Sequence, residues 1–396
     1  MEFRKKVLKN GLTVLHEKRD VPVTTVMLAV KYGAEYESEE EKGIAHFIEH
    51  LCFKGTEKRT ARQIAAEVEG LGGDLNAFTH EEITAYHVKI PSEHLGVAMD
   101  VIFDIFFNAS FPEEEVQKEA NVICEEIKMY RDNPRARVLD QIKDSLYKSP
   151  FGMFIAGTQE TVRGISRRKL FEKHRSLYAP KNSILCVVGN NEFEEVLKLA
   201  NSLVVERKGV EAVSPKIQLR TVKKKEKRGD VHQTNLALGF HFPKLSEEKR
   251  YAAEVFSAIL GEGLSSRLVT EVREKRGLVY AIKTELDLGK TYGYMVLWAG
   301  TDPSKADEVI SVSLEEFSKM KLITQKELDS AKIQVIGNMK IECESSRDVA
   351  MNLILEEISG DANQYYNYEK NVMAVILEDV RSLADVTKFA SFSLGP

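Results

Sequence analysis

The sequence predicts an α+β fold of two homologous halves, each a mostly antiparallel sheet with helices packed on it. Three observations carry that prediction. Strand-like runs alternate with longer amphipathic stretches throughout the chain. The run Thr234–Phe242 repeats Thr24–Tyr32, and Ile323–Asn338 repeats Phe111–Glu126. Between the two copies, from Arg207 to Asp230, lysines and arginines cluster and apolar residues thin out. These boundaries give an N-terminal half at 1–206, a linker at 207–230 and a C-terminal half at 231–396.

Taken in order, Val7-Leu8-Lys9-Asn10-Gly11-Leu12-Thr13-Val14-Leu15-His16 reads as a hairpin, two strand-like pieces around Asn-Gly. Thr24–Tyr32 is a second, buried β run, and Glu35–Glu41 reads as a solvated loop. Gly43–Leu51 is apolar and poor in Gly and Pro, which predicts a helix. Thr60 caps the next helix, Ala61–Leu71, and Gly72-Gly73-Asp74 ends it. Leu75–Thr79 and Thr84–Ile90 read as paired strands, Leu95–Asn108 as a helix, and Phe111-Pro112 starts another, Glu113–Arg131. Arg131-Asp132-Asn133-Pro134 turns into a helix ending at Tyr147, and a loop runs from Ser149 to Thr158. A helix capped by Ser166 and ending near Tyr178, a buried strand at Asn182–Gly189 and an amphipathic helix at Asn191–Glu206 complete the half. The linker holds one β piece, Ile217–Val222.

Composition narrows the function classes. A hydrophobic fraction of 43% supports a substantial core and excludes global disorder. The net charge of −5 and the lack of a basic tract interleaved with aromatics argue against nucleic acid as a partner. No apolar run reaches membrane-spanning length, and Met1-Glu2-Phe3-Arg4-Lys5-Lys6 leads straight into a strand-like segment without a signal or transit region. A cytoplasmic protein without membrane contact is expected. Cys52, Cys124, Cys186 and Cys343 stand singly in apolar segments without CxxC spacing, so buried, reduced thiols are expected.

The first helix carries the chemistry. His46-Phe47-Ile48-Glu49-His50 reads H-x-x-E-H. Residues four apart share a helix face, so His46 and His50 can offer two imidazoles to one metal, and Glu49 leans toward the same space. Two neutral imidazoles plus a carboxylate that does not bind the metal are the minimum for a zinc-activated water and its general base. This residue order is the inverzincin signature. A third ligand is still needed. Glu119 and Glu126 lie two turns apart on one face of Glu113–Arg131, and Val122, Ile123 and Ile127 make the surroundings of Glu126 apolar. A carboxylate on a helix packed against the motif helix would complete His-His-Glu, an open catalytic zinc composition. Glu125 is the rival for that position.

The chain resembles the pitrilysin/insulinase family of zinc peptidases, most closely its mitochondrial-processing-peptidase-β-like prokaryotic branch. The matching stretches are Gly43-Ile44-Ala45-His46-Phe47-Ile48-Glu49-His50-Leu51-Cys52-Phe53-Lys54-Gly55-Thr56, Leu75-Asn76-Ala77-Phe78-Thr79 and Glu119-Ala120-Asn121-Val122-Ile123-Cys124-Glu125-Glu126. The resemblance implies His46, His50 and Glu126 as ligands of one zinc ion per chain, Glu49 as the base, and Glu119 as a supporting carboxylate beside a ligand histidine. The spacing from Glu119 favours Glu126 over Glu125. The resemblance also implies two half-shells closing into a clam-like cavity, with Asn76, Ala77, Phe78 and Thr79 as the edge strand on which an extended peptide adds as a further strand.

In the second copy Ala252–Gly261 falls where the motif helix should be, and Phe256, Ile259 and Leu260 take the places of His46, Glu49 and His50. Ala331 and Asn338 stand opposite Glu119 and Glu126, so no second metal site is expected. Arg273-Glu274-Lys275-Arg276-Gly277-Leu278-Val279-Tyr280 matches the family's R-x6-Y element, which implies that Arg273 and Tyr280 reach the substrate near the metal. The expected function is a zinc metalloendopeptidase acting on peptides or unfolded segments. The alternative is a non-catalytic or partner-dependent subunit of a processing-peptidase-like heterodimer, and the intact ligand set in one chain argues against it. A homodimer is expected, or a heterodimer with a motif-lacking relative.

Overall fold

The computed structural model describes residues 2–396. In chain order the strands are β1 (Glu2–Val7), β2 (Thr13–Lys18), β3 (Val23–Val30), β4 (Asp74–Thr79), β5 (Thr84–Pro91) and β6 (Ser183–Gly189), then β7 (Lys223–Lys227), β8 (Thr234–His241), β9 (Val279–Leu288), β10 (Gly293–Thr301) and β11 (Ala390–Gly395). Helices α1 (Ile44–Cys52), α2 (Ala61–Glu69), α3 (Leu95–Asn108), α4 (Glu113–Asp132), α5 (Pro134–Leu146), α6 (Gln159–Gly164), α7 (Arg167–Leu177) and α8 (Phe193–Leu203) precede β7. They are followed by α9 (Arg250–Gly261), α10 (Ala306–Lys319), α11 (Gln325–Glu342), α12 (Ser346–Ser359), α13 (Tyr368–Ala374) and α14 (Leu377–Arg381). No helix among the described residues is long and apolar enough to cross a membrane.

The sheets explain the repeat. The first has the order β1-β2-β6-β3-β5-β4, and the second β7-β11-β8-β10-β9. In the first, β2 and β6 run parallel and every other pair is antiparallel. In the second, β11 and β7 are the parallel pair. Apart from β1, the two sheets therefore have one strand order and one pattern of directions, two copies of one mixed α/β unit.

Two compact units are built around these sheets. The first comprises residues up to Ile127, Phe154–Pro215 and Glu342–Tyr365; the second comprises Lys128–Met153, Lys216–Ile341 and Tyr366–Pro396. The units differ from the sequential halves at 1–206 and 231–396 by a reciprocal exchange. Helix α12, from the later half, covers β3 and β6 in the first unit, and α5, from the earlier half, covers β8 and β11 in the second. The linker also differs from expectation. Its strand is β7 at Lys223–Lys227 rather than Ile217–Val222, and its lysines at alternate positions are solvent-facing on a sheet edge, which blunts pairing with another chain.

Local signals account for most boundaries. The β1–β2 connection uses Gly11 at φ +94°, and the Asn10 side chain accepts a hydrogen bond from Leu12 N–H. Thr60 and Gln63 form a reciprocal capping box on α2, and Ser166 accepts from Lys169 N–H at the start of α7. Helix α3 is apolar nearly all round because it is buried nearly all round. Of its two charges, Asp100 and Asp104, the buried Asp104 meets Arg59 at 2.9 Å and Thr56 at 2.7 Å, and Asp100 pairs with the same arginine.

The acidic stretch Glu35–Glu41 is not a solvated loop. It folds into two 3₁₀ turns, Ala34–Tyr36 and Glu39–Glu41, and buries Glu35 and Glu37 with the adjacent Lys42. An acidic run reads as solvated because lone carboxylates are costly to bury. For Glu37 the cost is offset by Lys42 and by the N–H groups of Gly43 and Ala45.

Helix α5 lies close against its sheet because β8 carries a glycine. A Cβ at Gly239 would sit 2.8 Å from a Leu146 methyl and 2.9 Å from Ile142. Gly239→Val is expected to cost about 1–3 kcal/mol through overpacking. Adding Leu146→Ala should return part of that loss. Chemical denaturation of the two variants measures both effects.

Candidate metal centre

Helix α1 divides its residues between two environments. Ile44, Phe47, Ile48 and Leu51 recur at helical spacing and are fully buried in the first unit's core, together with Ala45 and Cys52. The same repeat turns His46, Glu49 and His50 to the other side, where all three are partly exposed. The imidazoles lie edge to face, with ring centroids 4.6 Å apart.

Helix α4 supplies the third group. Glu126 Oε2 lies 3.7 Å from His46 Nε2 and 3.6 Å from His50 Nε2. One ligand atom from each of the three residues falls within 4.8 Å of the others. Zinc bonds of about 2.0–2.2 Å at tetrahedral angles separate ligand atoms by about 3.3–3.6 Å, so the two carboxylate–imidazole separations lie close to that spacing and the donor chemistry fits a zinc ion. Among the described residues, this is the group of histidine, cysteine and carboxylate side chains that could hold a metal. Glu125, the rival, is exposed on the same helix, whereas Glu126 is partly buried. Val122, which the sequence makes part of an apolar surround, is 48% exposed; Ile123 is the neighbour that anchors this turn in the core.

Glu119 and Thr79 set the donors. Glu119 Oε2 lies 3.1 Å from His50 Nδ1, which fixes the proton on Nδ1 and leaves the Nε2 lone pair to bind a metal. The other Glu119 oxygen meets Lys54 Nζ at 2.8 Å. The Thr79 hydroxyl donates to Glu49 Oε2 at 2.5 Å, so a residue expected to serve the substrate edge strand also orients the expected base. His46 Nδ1 is buried and has no hydrogen-bond partner among the described residues.

These contacts tune ionisation. Burial, then the adjacent His50, pushes His46 down to about 3, so its imidazole is neutral and ligand-ready near neutral pH. Burial raises the Glu49 carboxyl against the hydrogen bond from Thr79, and nearby Glu126 adds to the rise. The result is a stronger proton acceptor than an ordinary carboxylate. Burial likewise raises Glu126, opposed by His50. Burial opposes the charge on Glu119 too, but His50 and Lys54 outweigh it and hold that carboxyl below its usual range.

The first unit thus brings together His46, Glu49, His50, Glu119 and Glu126. Asn76, Ala77, Phe78 and Thr79 lie in β4, the strand at the edge of its sheet. Arg273 and Tyr280 belong to the second unit. Arg273 lies in a π-helical turn, Val269–Lys275, paired with Glu274, and Tyr280 is 90% exposed at the start of β9, again an edge strand. Phe256, Ile259 and Leu260 are buried in the second unit's core. Lys54 and Glu37 are site neighbours that sequence reasoning missed. Lys54 looks like any surface lysine, and Glu37 is hidden among four other glutamates between positions 35 and 41.

Removing the charge that fixes His50 should weaken the metal site without removing a ligand. Glu119→Gln is expected to lower zinc affinity about 10–100-fold, whereas His50→Asn should abolish stoichiometric binding. Competition with a chromogenic chelator reads both.

Residues 12–159 match the family model described as insulinase (peptidase family M16), and residues 164–335 match the one described as peptidase M16 inactive domain. The chain is 32% identical to the uncharacterized zinc protease YmxG of Bacillus subtilis (strain 168), across 95% of this chain and 93% of that protein. It is 34% identical to an uncharacterized zinc protease of Rickettsia bellii (strain RML369-C), across 86% and 83%. A crystal structure of a protease from Helicobacter pylori superposes with a TM-score of 0.92 at 25% identity, covering 100% of this chain and 99% of that one. A putative M16-like peptidase from Alicyclobacillus acidocaldarius, at 21% identity and a TM-score of 0.86, shares the fold. Relatives at this identity, matched along most of their length, show that the chain belongs to the pitrilysin/insulinase family, peptidase family M16.

Proposed function

We propose that the chain is a zinc-dependent metalloendopeptidase that cleaves peptides or unfolded segments bound as an added β-strand. The observation that carries this reading is the convergence of His46, His50 and Glu126 on one point, with the unligated Glu49 beside them. A bound zinc ion supplies a Lewis acid that lowers the pKa of water and polarises a carbonyl oxygen. His46 and His50 offer ring nitrogens and Glu126 an oxygen to hold it, and Glu119 keeps His50 in the tautomer that can bind. Glu49, raised in basicity by burial and aligned by Thr79, accepts the proton of the attacking water and later delivers it to the leaving amine.

Substrate contacts follow from the edge strand. The outer side of β4 has no strand partner in the sheet order, so an extended peptide can pair with it through backbone groups. Such pairing recognises main chain before side chains and suits a broad clientele. Arg273 and Tyr280 are assigned to the same substrate, as donors to the oxygen that gains charge during acyl transfer. Their support is the family spacing, the exposure of Tyr280 and the partial exposure of Arg273.

The decisive comparison is wild type against Glu49→Gln, with zinc quantified on the same samples used to cleave a quenched-fluorescent peptide library. Wild type is expected to hold one zinc and cleave. The variant should keep its zinc and lose cleavage by about 10²–10⁴-fold. Zinc without cleavage in wild type would favour the non-catalytic or partner-dependent subunit. Absence of zinc would overturn the centre itself.

A further inference from the structure

The approach to α1 is built differently from any other helix start in the first unit. Gly43, its N-cap, sits at φ +97°, and neither a serine, threonine, aspartate nor asparagine occupies that position. The capping oxygens come from six residues upstream. Glu37 Oε2 accepts from Gly43 N–H at 3.0 Å, and Glu37 Oε1 accepts from Ala45 N–H at 2.8 Å. The Glu37 side chain is wholly buried and faces the wholly buried Lys42 ammonium at 3.6 Å. Lys42 in turn donates to the Ala34 carbonyl at 2.7 Å.

The backbone around this pair is closely fitted. A Cβ at Gly43 would lie 2.4 Å from the Ala156 carbonyl oxygen, and one at Gly157 would lie 2.2 Å from the Lys42 carbonyl oxygen. Thr161 donates its hydroxyl to that same Lys42 carbonyl at 2.8 Å. The segments 34–37, 42–45 and 156–161 therefore meet at the end of the helix that carries the metal motif. A carboxylate is favoured there by the helix dipole as well as by the two N–H groups. Ala45, one of the two residues held, directly precedes His46.

We propose that Glu37, neutralised by Lys42, is a positioning residue for the metal centre, whose two-oxygen grip on the start of α1 sets the placement of His46 and His50 for the metal. This inference rests on the metallopeptidase reading and extends it to a group that touches neither metal nor substrate. The grip needs two acceptors. A glutamine offers one oxygen and one NH₂ group, so it satisfies one N–H and opposes the other. It also needs charge balance, because removing one member of a buried ion pair leaves the other uncompensated.

That difference separates positioning from folding. In the full chain, Glu37→Gln with Lys42→Met removes both charges together, so it should melt above Glu37→Gln alone, although one helix N–H and the Ala34 carbonyl lose their partners. It is expected to bind zinc about 10-fold or more weakly in chelator competition. Amides at the start of α1 should exchange with solvent at least about 10-fold faster in the metal-free protein. With zinc saturating, kcat should fall while KM holds. Glu37→Asp, which keeps the charge pair but withdraws the carboxylate by one methylene, is expected to show the same pattern in milder form, and it serves if the double variant fails to fold. Wild-type zinc affinity and wild-type exchange in α1 for either folded variant would overturn the proposal. Should wild type bind no zinc, the metal reading falls, and exchange at the start of α1 still decides whether Glu37 holds the helix.

Discussion

One short helix has to satisfy two environments at once. Helix α1 is nine residues long, too short to persist by itself, so its geometry comes from what it packs against. The 3.6-residue repeat leaves little freedom. Once Ile44, Phe47, Ile48 and Leu51 are seated in the core, the directions of His46, Glu49 and His50 are fixed. The opposing carboxylate is fixed by the same means. Ile123 and Cys124 seat α4, and the next turn carries Glu126 toward the imidazoles. Core packing and metal geometry are therefore one constraint seen from two sides of the helices.

The duplicated architecture shows how little must change for such a constraint to be dropped. Both units use the same order and directions over five strands. Helix α9 occupies the sequence position of α1, but Phe256 and Leu260 replace the two histidines and are buried without remainder. Phe256 packs edge to face on Phe242 at 5.4 Å and against Phe317 at 5.0 Å. The face that stays polar in one unit has become core in the other. Apolar side chains there gain burial and carry no desolvation cost, whereas buried imidazoles and carboxylates need partners to be tolerated.

Much of this was legible in the chain itself, and the limits have physical causes. The H-x-x-E-H face, the two-turn spacing of Glu119 and Glu126, the caps at Thr60 and Ser166 and the hairpin at Asn10-Gly11 are all short-range facts. Local rules reach them. Glu37 and Lys42 were invisible because their burial depends on segments more than 100 residues away, at Ala156–Thr161. Lys54 was invisible for a similar reason, since its partner Glu119 arrives from another helix. The strand at Lys223–Lys227 has almost no β propensity and exists because β11 offers it a parallel ladder. The family resemblance supplied what local rules could not, the roles expected of Glu119, Arg273 and Tyr280.

The exchange of α5 and α12 has a consequence for how the chain is made. The face of β3 formed by Thr25, Met27 and Ala29, with Ile184, Cys186 and Val188 of β6, is apart from the core beneath α3. Its cover is α12, joined through Thr25 and Ser346 hydroxyls 2.7 Å apart. During synthesis β3 leaves the ribosome some three hundred residues ahead of that cover. The nascent first unit therefore carries a bare apolar sheet face until the chain is nearly finished, and a stalled or truncated product exposes it permanently. Proteolytic nicking in the 207–230 segment would likewise not free two self-sufficient pieces, because each fragment would hold a helix that the other needs.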